Sequence, residues 1–236
     1  MPRLRADLSA QRLAELAEAG LQVFCRQGFE RSQVADVARE MGVAVGTVYL
    51  YVEGKEALFD LVVRHASEPD AAWMADLEVP VKTPEPGSTL GYLKACFDAV
   101  SWPVLEAAMD AESVEDPVAE LEGVLREQYG LIHRHRRGLL LLMRSALDFP
   151  GLAQIFVLGL RNKLLDSLCL YLERRIVGGV MAPVPNLRAR SAVAIQAITW
   201  ANLQRPQDPG LSDLTDEEIE TATLGLVVRG LIPSQA

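Results

Sequence analysis

The sequence predicts an all-α fold. Apolar residues recur at spacings of three and four along nearly the whole chain, the signature of helix faces. No run alternates apolar and polar residues with the period of two that a strand needs, and no internal repeat is present. The interruptions fall where glycine and proline cluster. The chain has 236 residues and is half apolar. That is enough for one large domain, or a small one and a larger one, each with a core.

Between Ser9 and Gln27, Leu13, Leu16, Ala17, Leu21 and Phe24 share one face, and Gly28 follows as a C-terminal stop. Ser32 is placed to cap a short second helix through Val34, Val37, Ala38 and Met41, which Gly42 ends. The uncharged stretch VAVGTVYLY, Val43–Tyr51, lies between Gly42 and Gly54 and is expected as the third helix. Gly54 can stand at the cap of a fourth, carried by Leu58, Phe59, Leu61, Val62 and Ala66; Pro69 either kinks it or starts a continuation toward Leu77.

The texture then changes. VPVKTPEPGS, Val79–Ser88, has three prolines and a glycine in ten residues and reads as a loop. Longer helical patterns follow near Thr89–Ala111, Pro117–His135, Gly138–Asp148, Ala153–Val177, Asn186–Gln204 and Thr215–Leu231. In the last, Asp216, Glu217 and Glu218 place three acids in a first turn, where they favour the helix dipole.

Composition narrows the function. No stretch approaches the roughly 18 uninterrupted apolar residues of a membrane span. The N-terminal segment lacks the apolar core of a signal peptide. A soluble, cytoplasmic protein without a membrane partner is expected. Cys25, Cys96 and Cys169 offer neither a disulfide framework nor metal spacing and read as buried thiols in helices, with a redox switch as the alternative. No nucleophile elbow, metalloprotease motif, phosphate loop or nucleotide fingerprint appears, so an enzyme is not expected, nor is a cofactor or metal.

Three short helices with a glycine turn between the second and third suggest helix-turn-helix geometry. The residues sharpen this. Phe24, Gly28-Phe29, Val34, Val37-Ala38, Gly42-Val43, Gly46-Thr47-Val48-Tyr49, Tyr51, Lys55-Glu56 and Leu58 fall within Ala19–Val63, which closely resembles the DNA-binding domain of the TetR/AcrR family of transcriptional regulators. The resemblance covers about 45 residues and implies a helix-turn-helix domain over residues 1–54. A larger helical effector-binding and dimerisation domain would occupy 55–236, with the helix from about 55 linking the two. No motif matches in the remainder.

The resemblance also implies roles. A recognition helix lies in the major groove and presents groups to base edges and phosphates. Gly46 would let backbone approach DNA. Thr47, Tyr49, Tyr51, Lys55 and Gln33 would reach the phosphate backbone, contacts that set register. The family commonly has Ser or Thr where this chain has Ala44, and Ala44 cannot cap the helix. Val45 replaces a polar residue, and Leu50 and Val52 replace commoner His and Phe. An apolar base-facing surface reads the thymine methyl and little else, so Ala44 and Val45 are expected to meet thymines. Val48 and Val52 are expected to pack inward.

Charge bears on this directly. The net charge is -9, and residues 1–65 carry eight Lys/Arg against nine Asp/Glu, leaving -8 to the rest. Such a DNA binder must gather its positive charges on one face. Arg3 and Arg5 could form a minor-groove arm, and Arg31 and Arg39 are either phosphate contacts or simply solvated.

The remainder is compatible with the family's scheme of a homodimer that binds double-stranded DNA and a small-molecule effector of unknown identity. The last two helices, with Ala192, Ile195, Ile198 and Thr199 in one and Ile219, Leu224, Val227, Val228 and Leu231 in the other, are read as the dimer interface, with plain core as the alternative. Trp73, Phe97, Trp102, Met109, Met143, Phe149 and Phe156 are candidates for an apolar effector pocket; each would serve equally as core. His133 and His135 do not share a helix face, and HRHRR reads as a solvated basic patch. The function expected is a ligand-responsive repressor on a palindromic operator. A helical interaction protein with a vestigial DNA-binding domain, or an activator of the same fold, are the alternatives.

Overall fold

The computed structural model describes residues 2–68 and 70–232, and their side chains apart from those of 2–8, 157 and 158. The fold is all-α. Among the described residues the sole strand-like pairing is an isolated parallel bridge between Val52 and Val81. The chain forms two compact units, one of Met1–Ala99 with Arg137–Gly159, the other of Val100–Arg136 with Leu160–Ala236.

The first unit begins with α1 (Pro2–Gln27), then α2 (Val34–Met41), α3 (Val45–Val48), α4 (Lys55–Ser67), a 3-10 helix (Ala71–Asp76) and α5 (Ser88–Asp98). It continues with α8 (Arg136–Ser145) from Arg137 onward and α9 (Pro150–Ala153). α1 packs on α2, α4 and the 3-10 helix. Leu13, Leu16, Phe24, Val37, Val48, Leu58, Leu61, Met74, Leu141 and Leu152 fill the core. The boundary expected before Lys55 falls at the Gly54 N-cap of α4, inside this unit.

Two glycines are required here. Gly28 ends α1 with φ +77, and a Cβ there would lie 2.8 Å from the Arg144 carbonyl oxygen. Gly42 ends α2 with φ +68, donating to the Arg39 carbonyl. Both sit in the left-handed region that glycine alone enters freely. Around Gly28, Phe29 lies 4.7 Å from Phe59 and 5.9 Å from Phe149 between ring centres.

The second unit holds α6 (Pro103–Asp110), α7 (Pro117–Arg134), α10 (Asn162–Val177), α11 (Leu187–Thr199) and α12 (Asp216–Leu231). α11 packs on α10, α12 and α7. A buried ion pair ties three helices. Arg175 on α10, 4% exposed, donates from Nε to Glu120 Oε1 at 2.7 Å and from Nη2 to Oε2 at 2.8 Å. Its guanidinium also reaches the carbonyls of Ala108 and Ala111 at the end of α6, and the Tyr171 hydroxyl donates to Glu120 Oε1 at 2.8 Å. Thr215 and Glu218 form a reciprocal cap at the start of α12.

Several elements differ from the sequence reading. Ser32 does not cap α2; it is buried and donates to the Gly28 carbonyl at 2.6 Å, and Gln33 takes the N-cap. Thr89–Ala111 is two helices, because Pro103 starts α6 and holds Trp102 out of helical geometry. Ala153–Val177 and Asn186–Gln204 contain π-helical stretches, Gln154–Arg161 and Trp200–Gln204. α4 stops at Ser67, and Pro69 lies outside the described residues.

Candidate nucleic-acid interface

α2, the Gly42 turn and α3 form a helix-turn-helix. α2 starts at Gln33, whose backbone N–H donates to Asp36 Oδ2 at 2.9 Å. That bond, with a further one from Arg39, holds the Asp36 carboxyl below the usual carboxylate range. After Gly42, Val43 N–H returns to the Ala38 carbonyl at 2.9 Å and turns the chain into α3.

α3 is shorter than Val43–Tyr51. Regular helix spans Val45–Val48, and one further turn follows, with Leu50 N–H on the Thr47 carbonyl and Tyr51 N–H on the Val48 carbonyl. The sequence explains this. Ala44, the N-cap, has no side-chain acceptor for the first amides, and Val, Gly and Thr are weak helix formers. Packing supplies the rest, because α3 packs on α2 and Val48 and Val52 are buried in the core.

That inward anchoring presents the other face to solvent. Ala44, Val45, Gly46, Tyr49 and Leu50 are exposed, Leu50 at 67%, while Thr47 and Tyr51 are half-buried. Around Gly46 nothing lies within 4 Å of where a Cβ would stand. The tip is therefore uncharged, partly apolar and open to close backbone approach. Gln33 is exposed at the start of α2. Lys55 is not free: Nζ donates to the Glu30 carbonyl at 3.0 Å and sits 4.3 Å from the Phe29 ring centre. Two of its three protons remain for another acceptor. Arg39 pairs with Asp36, and Arg31 bonds the Gln27 carbonyl and lies 3.9 Å from Asp148. Arg3 and Arg5 lie outside the described side chains.

The effector candidates divide between the units. Trp73, Phe97, Phe149 and Phe156 are half-buried around the first unit's core, and Met143 is half-buried on α8. Trp102, buried, and Met109, half-buried, belong to the second. The sequence reading passed over Gln128, which is fully buried on α7 with neither amide atom partnered among the described residues. The Trp102 indole N–H and the Ser191 hydroxyl of the same unit are in the same condition. A polar residue within the apolar stripe of α7, between Val124 and Ile132, is the signal that could have found Gln128.

The basic HRHRR stretch is not simply solvated. Arg136 pairs with Asp216 at 2.9 Å, Arg137 pairs with Glu18, and His133 Nδ1 lies 3.0 Å from Asn202 Oδ1.

Comparison with known proteins agrees with this geometry. Residues 16–62 match the model of the family described as bacterial regulatory proteins, tetR family. Over 62 residues the chain is 37% identical to an uncharacterized HTH-type transcriptional regulator, YfiR, of Bacillus subtilis (strain 168), covering 26% of this chain and 30% of that protein. Over 68 residues it is 31% identical to the fatty acid metabolism regulator protein of the same organism, covering 29% and 34%. The chain thus spans about a third of the length of the curated relatives it matches. Among solved structures, the ketosteroid transcriptional regulator KstR2 of Mycobacterium tuberculosis superposes with a TM-score of 0.56 at 19% identity, over 94% of this chain and 96% of that one. The TetR family regulator PfmR of Thermus thermophilus gives 0.52 at 18% identity, over 92% and 99%. The helix-turn-helix matches the tetR-family DNA-binding domain over residues 16–62, and the fold shared with these solved structures extends over nearly the whole chain.

Proposed function

We propose that the chain is a ligand-responsive transcriptional repressor that binds a palindromic operator as a homodimer and is released by a small, partly apolar effector. The observation that carries this reading is the division of α3. Val48 and Val52 anchor it in the core, while Ala44, Val45, Gly46, Tyr49 and Leu50 stand exposed as a reading face. Thr47, Tyr49 and Tyr51 supply hydroxyls for phosphate oxygens. Ala44 and Val45 supply methyl groups for thymines.

The dimer rests on α11 and α12, and only in part on the residues singled out from sequence, of which Val227 and Leu231 line the groove described below. Ile195, Ile198, Ile219, Leu224, Val227, Val228 and Leu231 are buried within the protomer, because the two helices use those faces on each other, α7 and α10. The face left over carries Val193 at 70% exposure and Leu226 at 71%. A groove of about 570 Å³ runs there, lined by Ala189, Val193, Ala197, Leu226 and Gly230 among others. Small residues flanking exposed apolar ones suit close helix approach by a second copy. A two-fold dimer would set two recognition helices about 34 Å apart, one helical turn of DNA. The effector would occupy the helical region beyond α4, where Gln128 and the Trp102 indole are unpartnered polar groups of the kind that orient a ligand.

Selection of the purified protein against random duplex DNA tests this, with Tyr49→Ala as control. A palindromic site enriched by the wild type and lost in the variant supports a dimeric reader. Weak binding without sequence preference, unchanged by the substitution, would overturn it and favour a vestigial domain that serves protein contacts.

A further inference from the structure

The segment after α4 does not leave the helix-turn-helix behind. It returns through the 3-10 helix on α1 and then lies alongside the residues that follow α3. Val81 N–H donates to the Tyr51 carbonyl at 2.8 Å, and Glu53 N–H donates to the Val81 carbonyl at 2.9 Å. Thr83 N–H donates to Glu53 Oε2 at 2.9 Å. Three bonds thus pin the proline-rich loop to Tyr51 and Glu53. Val81 packs on the core, so the next side chain of this extended segment, Lys82, faces away from it and is exposed.

Lys82 also differs from the other cations of this region in its partners. From residue 9 to residue 99, Arg12, Arg26, Arg39, Arg64 and Lys94 are each paired with a carboxylate. Arg31 and Lys55 donate to backbone carbonyls. Among the described residues of that stretch, Lys82 is the one Lys or Arg with no acceptor within the protein. It stands one residue from the backbone bonded to Tyr51, beside a reading face that carries no charge.

We propose that the Val79–Thr83 loop is a second DNA-contacting element and that Lys82 neutralises a phosphate next to the one met by the Tyr51 hydroxyl. The inference rests on the DNA-binding reading above and extends it outside the helix-turn-helix. The physical reason is charge: the tip reads bases without a cation, and affinity for DNA comes largely from phosphate neutralisation with release of counterions. Lysine on its flexible stem binds phosphate as a point charge and adds no base preference.

The test is the salt dependence of binding to the selected operator and to a scrambled duplex, for wild type, Lys82→Ala, Lys82→Arg and Tyr49→Ala. Each lost phosphate contact lowers the slope of log Kobs against log salt by about 0.9, hence by about 1.8 for two protomers on a palindrome. Lys82→Ala is expected to show that loss on both duplexes with the selected sequence unchanged, and Lys82→Arg to restore the slope. A slope unaltered in Lys82→Ala, while Tyr49→Ala still abolishes operator binding, overturns the role of Lys82 and leaves the DNA-binding reading standing. A wild-type protein that selects no operator overturns both.

Discussion

Replacing Ala44 with serine should raise stability and lower thymine discrimination in the same molecule. Ala44 has N-cap backbone geometry, φ -70 and ψ 146, and no side-chain acceptor. A serine hydroxyl there can accept from the amide of Gly46 or Thr47, and a cap of this kind is worth about 1 kcal/mol relative to alanine. For a chain of this size that is a rise in melting temperature of about 2–4 °C. The DNA side runs the other way. If the Ala44 methyl meets a thymine methyl, replacing that thymine with uracil should cost the wild type about 0.8 kcal/mol per methyl, roughly fourfold in affinity. With a hydroxyl facing the base the uracil penalty should shrink toward nothing. Thermal unfolding and fluorescence anisotropy on paired thymine and uracil operators read the two effects separately. Unchanged stability would refute the capping argument. A wild type indifferent to uracil at every half-site position would refute the methyl readout.

Gly28→Ala should cost more than Gly42→Ala. Both are left-handed, a penalty of about 1–2 kcal/mol for alanine, but only at Gly28 does the new Cβ meet a carbonyl, adding about 1–3 kcal/mol of overpacking; equal shifts in urea midpoint would contradict the contact. Glu120→Ala should destabilise by about 3–5 kcal/mol, because Arg175 is left buried without its carboxylate; a loss below about 1 kcal/mol in denaturant titration would count against it. Leu226→Asp should yield monomers by sedimentation with helicity intact, and a dimer that survives would move the interface elsewhere. The Arg136 guanidinium, with Arg205 behind it, holds the Asp216 carboxyl below the usual carboxylate range. A depressed folded pKa gives stability that is present above the ordinary value near pH 4 and lost as pH falls through the folded one. The gap in urea midpoint between wild type and Asp216→Asn should therefore be open at pH 7 and close on acidification.

The all-α fold, the helix-turn-helix and the inward face of α3 are legible in the residues, because helical periodicity and a glycine-ended short helix are local signals. Val48 and Val52 lie where spacing puts them. The misses are places where tertiary partners decide. Ser32 looks like a cap until Gly28 offers it a buried carbonyl. Ile195 and Ile198 look like interface until α7 and α10 supply protomer partners. Lys55 looks wholly free in the sequence, but the Glu30 carbonyl takes one of its three protons. Lys82, in a loop with no periodicity, carries no sequence signal; its place is set by three bonds to residues some thirty positions earlier.

The first unit is discontinuous in sequence, and this bears on how the chain is made. Leu141, Leu142 and Leu152 belong to the same core as Phe24, Val48 and Leu58, yet Val100–Arg136 lies elsewhere. During synthesis the DNA-reading helices emerge long before the leucines that complete their packing, so the unit closes only once residues near 152 have left the ribosome. Release at residue 99 would leave the apolar surface those leucines cover open to water. A fragment ending there would thus be a poor stand-in for the DNA-binding unit, although it contains every residue proposed to contact DNA.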